Sequence, residues 1–175
     1  MASVTSFLVV KKMPKPSPAD RAKFDQYVRD AEQSPENLAF LLDNLGERVD
    51  LDYSAASLVK AEAVYWRHVE KGEPTDLSDM NHFAQLLGQY LGRCIIHHTS
   101  AKWVQCEEQN PMFGQPAIDG FGGEEWDRIY PVHTALHLRD LPQEKPNFPG
   151  VRGQCVFATK LEKALAIHEK TQGPK

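Results

Sequence analysis

Six side chains could do chemistry by type alone: Cys94, His97, His98, Cys106, His133 and His137. Thiolates and neutral imidazoles are the common ligands of zinc and its neighbours, and His133 and His137 stand four residues apart, so a helix would turn both to one side. The glutamate that follows the first histidine of a zinc-protease motif is missing, since Thr134 stands there, and no Cys-x-x-Cys pair occurs. His97 and His98 also have a plain structural use, because imidazoles at a helix C-terminus are favoured by its dipole. The metal reading, a metal-binding protein or metal-dependent enzyme on His97, His98, His133 and His137 with Cys94 or Cys106, is therefore the alternative. The expectation is no cofactor.

Nucleophilic catalysis has less to stand on. There is no Gly-x-Ser-x-Gly elbow. None of the three cysteines, Cys94, Cys106 and Cys155, sits in a nucleophile motif, and Cys94 falls on an apolar stripe, where thiols are ordinarily inert. Gly120-Phe121-Gly122-Gly123 lacks the lysine of a phosphate loop and is flanked by acids that would repel phosphate. Glu124, Glu125 and Asp127 could supply paired carboxylates, but no spacing selects them. The balance leans away from an enzyme, with no catalytic residues assigned.

Charge is distributed more tellingly than its total of −4. Residues 103–130 carry six acids, Glu107, Glu108, Asp119, Glu124, Glu125 and Asp127, against Arg128 alone. The same window holds Trp103, Phe113, Phe121 and Trp126. Carboxylates speed encounter with a basic partner and aromatic side chains anchor it, so these ten residues form the candidate partner-binding surface. The plainer reading is that the loops are simply polar and the aromatics belong to the core. A net negative chain argues against nucleic acid as the partner.

The elements that would position these groups follow from apolar spacing and from breakers. Residues 13–18, Met-Pro-Lys-Pro-Ser-Pro, make a stiff connector. Residues 1–17 therefore read as an N-terminal arm or edge strand, followed by one domain over 18–175. Ser17 and Pro18 open a helix that gathers Phe24, Tyr27, Val28 and Ala31 on one face. Ser34-Pro35-Glu36 opens a second, with Leu38, Leu41, Leu42 and Leu45 at helical spacing and Gly46 as its stop. Leu51 to Ser54 reads as a short extended piece feeding an N-cap at Ser54, with a third helix to about Lys71.

A fourth helix after Ser78 carries Met80, Phe83, Ala84, Leu87, Leu91, Cys94 and Ile95 in one stripe. Gly88 and Gly92 remove bulk from one of its faces, for close packing on another element or on a second copy of the chain. Lys102–Cys106 and Gln115–Ile118 read as two short strands joined by a loop around Asn110-Pro111. Pro131 opens a helix through Leu138, Gly153–Ala158 reads as a third strand, and a helix from about Lys160 to Lys170 closes the chain. The fold class is α+β: N-terminal helices packed on a small, mostly antiparallel C-terminal sheet with a terminal helix.

Three cysteines at wide spacing fit a reducing compartment. The apolar run Phe7 to Val10 is too short, and its lysines come too late, for a secretory signal; no run of about 18 apolar residues spans a membrane. A cytoplasmic address is expected.

From Leu51 to Arg139 the order of features resembles a known group. Leu51-Asp52-Tyr53-Ser54 and then Ser57-Leu58 open a helix, Tyr90-Leu91-Gly92 stands late in an apolar helix, a strand carries Trp103, a second ends at Gly120, and Tyr130-Pro131 opens another helix. This is similar to small bacterial domains of unknown function, some of which occur in toxin–immunity gene clusters. The resemblance covers about half the chain and brings no catalytic residues. It implies a non-enzymatic binding module, most concretely an immunity-type protein that occludes a toxin, with a basic toxin domain as partner.

Overall fold

The computed structural model describes residues 16–71, 77–106, 114–122, 128–140 and 155–172. Within them lie six helices and two strands: α1 (Pro18–Glu32), α2 (Ser34–Asn44), α3 (Ala55–Lys71), α4 (Leu77–His98), β1 (Lys102–Gln105), β2 (Pro116–Asp119), α5 (Pro131–Asp140) and α6 (Val156–Gln172). The chain is an α+β protein, dominated by helices, with a small antiparallel sheet and a C-terminal helix. Apart from Pro16 and Ser17, the expected N-terminal arm lies outside the described residues, as does the loop around Asn110-Pro111.

Local chemistry explains where helices start. Ser17 Oγ accepts from the Asp20 amide at 3.2 Å while the Asp20 carboxylate accepts from the Ser17 amide at 3.0 Å, a reciprocal cap with Pro18 behind it. Those hydrogen bonds hold the Asp20 carboxyl below its usual range. Gly46, at φ +75°, ends α2, and the Glu47 amide reaches back to the Leu42 carbonyl at 2.9 Å. Ser54 caps α3 through its hydroxyl, which accepts from the Ser57 amide at 3.1 Å. The piece before it is not extended throughout: Tyr53 has φ +64°, and the Asp52 carboxylate accepts from the Ser54 amide at 3.0 Å. A side-chain turn at Asp52 outweighs the strand propensity of Leu51 and Tyr53 there.

Helix α4 is the centre of the packing and touches α1, α2, α3, α5 and α6. Leu87, Leu91, Cys94 and Ile95 on it are fully buried, together with Leu38, Leu58, Tyr65, Phe157 and Leu161 from its neighbours. Its two glycines have separate intramolecular uses. A Cβ on Gly88 would meet the Pro131 carbonyl and Ala135 of α5, and one on Gly92 would run into the Trp103 ring. That face is thus filled from within the chain, not by a second copy.

The strands pair antiparallel with Trp103 opposite Ile118 and Val104 opposite Ala117, and an isolated bridge joins Ile118 to Ile129. The expected third strand is corrected by α6. Val156, Phe157 and Ala158 form the first helical turn, while residues 153 and 154 lie outside the description. The cause is a long-range cap. The Glu62 carboxylate on α3, 2% exposed, accepts from the Val156 and Phe157 amides at 3.0 Å each and from the Cys155 thiol at 2.9 Å. Cys155 Sγ in turn accepts from the Ala158 amide at 3.3 Å. Local β-propensity yields to acceptors that arrive from 93 to 95 residues away.

Candidate functional site

A cleft of about 500 Å³ opens where α1 leans away from α4 and β1. One wall is α1, through Phe24, Asp25, Val28, Arg29 and Glu32. The other is Arg93 and Ile96 of α4, closed at one end by Ala101, Lys102 and Trp103. The helical spacing of Phe24, Tyr27, Val28 and Ala31 suggests a face turned into the core, yet only Ala31 is fully buried. Phe24 and Val28 are half-buried and line the cleft instead. Tyr27 sets its ring edge-on to Trp103, with centroids 5.2 Å apart and planes at 82°. α1 is therefore attached to the rest chiefly through Ala31, this aromatic contact, and a hydrogen bond from the Gln105 side chain to the Asp20 carbonyl at 3.1 Å.

The electrostatics of the cleft are uneven. Arg29 is engaged along its own helix, donating to Gln26 at 2.8 Å, and Gln26 donates on to Asp30 at 2.7 Å. Asp25 and Glu32 are exposed and keep their water. Arg93 is half-buried, and its Nε is shielded from solvent without a hydrogen-bond partner. Two further polar atoms in the same region share that condition, Trp103 Nε1 and Tyr27 Oη. Burial pushes the Tyr27 hydroxyl upward from its ordinary value, so it stays protonated. Buried polar groups nearly always find partners, so three orphans around one cleft are a departure that asks for a reason.

Of the ten candidate partner-binding residues, three lie in the described part, and each already has structural work. The Trp103 ring packs over Gly92 and against Tyr27. Asp119 pairs with Arg128 at 2.7 Å and accepts from the Gly120 amide at 2.6 Å. Phe121 is 2% exposed inside the core, and its carbonyl meets His168 Nδ1 at 3.3 Å. Phe121 is thus a core residue rather than a surface anchor: the turn through Gly120, at φ +90°, folds the ring inward. Glu107, Glu108, Phe113, Glu124, Glu125, Trp126 and Asp127 lie outside the described residues.

The metal candidates are dispersed in role. His97 stacks on Tyr53, with centroids 4.6 Å apart and planes at 12°, and His98 Nε2 meets the Tyr53 carbonyl at 3.0 Å. The two close the last turn of α4, as the dipole argument expects, and hold Tyr53 in its left-handed conformation. The Tyr90 hydroxyl completes that corner by accepting from the Tyr53 amide at 2.9 Å and meeting Ser57 Oγ at 2.8 Å. Cys94 is buried in the core, which pushes its thiol up to about 12, and burial raises Cys106 as well. His133 is exposed on α5, and the His137 side chain is outside the description. Among the described residues, no three His, Cys, Asp or Glu side chains gather as a metal site. No described helix is long and apolar enough to cross a membrane.

Two groups escaped the sequence reading. Arg93 was hidden inside the apolar stripe of α4, and nothing in its neighbours marked it. Phe24 and Val28 were visible as apolar but were assigned inward by their period. Comparison of the chain with protein-family models, with curated proteins and with solved structures finds no match.

Proposed function

We propose that this chain is a non-enzymatic protein-binding module that seats part of its partner in the cleft between α1, α4 and β1. One observation carries the reading: half-buried Phe24 and Val28 face an arginine whose inner nitrogen is desolvated and unpaired, in an opening of about 500 Å³. Apolar surface beside a poorly solvated charge is stabilised by a covering partner, and a cleft of this size takes one or two side chains. Phe24 and Val28 thereby replace Trp103 and Phe121 as the apolar contacts, since the latter two are committed within the fold.

The immunity-type reading is the concrete form of this proposal. Its support is the resemblance over residues 51–139 and the acidic balance of residues 103–130, which would draw a basic toxin domain at long range before the cleft engages it. Affinity capture from the source cells tests both parts, with wild-type, Val28→Asp and Glu124→Lys/Glu125→Lys/Asp127→Lys baits at low and moderate salt. The expected result is one stoichiometric basic partner, lost with Val28→Asp at both salts and weakened by the triple reversal chiefly at low salt. A partner captured equally by all three baits would overturn the proposed surface.

A further inference from the structure

Resting on that binding reading, we infer that the cleft contains an anion subsite, and that the partner segment it takes is a peptide with an acidic side chain next to an apolar one. The carboxylate would lie on the Arg93 and Lys102 side, and the apolar side chain on Phe24, Val28 and Ile96.

The sign of the ligand follows from unequal solvation. The cleft holds charges of both kinds, so net charge does not decide. Asp25 and Glu32 are exposed, and a cation brought to them would trade water for a well-solvated carboxylate at little gain. Arg93 has already lost water at Nε and has no ion pair or hydrogen bond within the described protein. A guanidinium in that condition gains most from a carboxylate, whose two oxygens match its planar donors. Lys102 is exposed at the end of the same wall and has no ion pair there, so it adds attraction without competing for a fixed geometry. Arg29 is occupied with Gln26 and is not needed.

The apolar half follows from α1. Phe24 and Val28 stand one helical turn apart, half-buried against no core, with Ile96 across from them. A free anion would satisfy Arg93 but leave this surface wet. A peptide residue pair satisfies both, since adjacent side chains can place a carboxylate and an aliphatic group a few ångströms apart.

Titration by NMR tests this directly, following the indole N–H of Trp103 (assigned with Trp103→Phe) and the Arg93 Nε–H. The probes are N-acetyl-Leu-Glu-amide, N-acetyl-Leu-Gln-amide and inorganic phosphate. The Leu-Glu probe is expected to shift both signals saturably at about 10 mM or below, with affinity about tenfold above Leu-Gln and above phosphate. Arg93→Gln should erase the preference for Glu over Gln. If that variant folds poorly, exposed Lys102→Gln should reduce the preference severalfold without disturbing the fold. Equal binding of Leu-Glu and Leu-Gln, phosphate binding as tightly as Leu-Glu, or no saturable shift would overturn the subsite. The capture experiment separates the two claims: Leu-Glu binding with capture indifferent to Val28→Asp would keep the subsite and reject it as the docking surface.

Discussion

Two places in this molecule bury polar groups, and they treat them oppositely. At the junction of α3 and α6, the Glu62 carboxylate is 2% exposed and saturated: it receives the Cys155 thiol, the Val156 and Phe157 amides and the Trp66 indole at 3.3 Å. At the cleft between α1, α4 and β1, Arg93 Nε, Trp103 Nε1 and Tyr27 Oη are shielded and unmatched. The first arrangement joins two helices far apart in sequence. The second leaves donors beside an opening, which costs stability unless something else supplies acceptors. A satisfied buried charge is a device of the fold, and an unsatisfied one next to a cleft is a candidate for function.

The largest effect expected from breaking this contrast is at Glu62. Glu62→Ala strands two helix amides, an indole and a thiol, and should lower stability by about 3 kcal/mol in urea or thermal unfolding. A loss below about 1 kcal/mol would mean the junction is not the structural clasp described here. Next comes Gly92, on the floor under Trp103. Gly92→Ala puts a methyl group into the indole ring and should cost about 1–3 kcal/mol, with the Trp103 emission shifting as the ring is displaced.

Alkaline pH should sharpen the comparison at a smaller scale. Burial, then the charge of Glu62, pushes the Cys155 thiol from an ordinary value near 9 up to about 12. The folded protein then keeps a proton that the unfolded chain releases, so the contribution is intact below pH ~9 and lost as pH climbs towards 12. Cys94, raised to about 12 by burial, acts in the same sense, as do the upward-shifted hydroxyls of Tyr27 and Tyr90. Stability measured at about pH 8 and about pH 10.5 should fall, and Cys155→Ser should flatten the fall. The smallest effect concerns Ser34, fully buried with an unpaired hydroxyl but lining no described opening. Ser34→Ala should change stability by no more than about 0.5 kcal/mol, or raise it, because only an unmet hydroxyl is removed.

The sequence made some of this legible and hid the rest for identifiable reasons. Helix starts at Ser17, Ser34 and Ser54 depend on residues within a turn of each other, so they could be read directly. Gly88 and Gly92 announced close packing, and the structure adds only what fills them. The start of α6 could not be read, because its cap comes from Glu62, which sits among surface-type residues of α3 and looks solvated. The cleft was hidden for a related reason. A period of Phe24, Tyr27, Val28 and Ala31 says which residues share a face, but not whether a neighbour comes close enough to cover it. The aromatic window 103–130 was legible as composition, while the inward turn of Phe121 and the seating of Trp103 on Gly92 depend on tertiary contacts.

The central claim is that a partner touches the cleft, and site-specific photocrosslinking tests it most directly. A benzophenone side chain would replace Phe24, in the cleft, or Phe40, which at 69% exposure is the most exposed large apolar side chain described. Irradiation in the source cells should then give a discrete adduct from position 24, absent from position 40 and lost when Arg93→Gln is added. An adduct from position 40 alone, or the same adduct from both positions, would contradict the account.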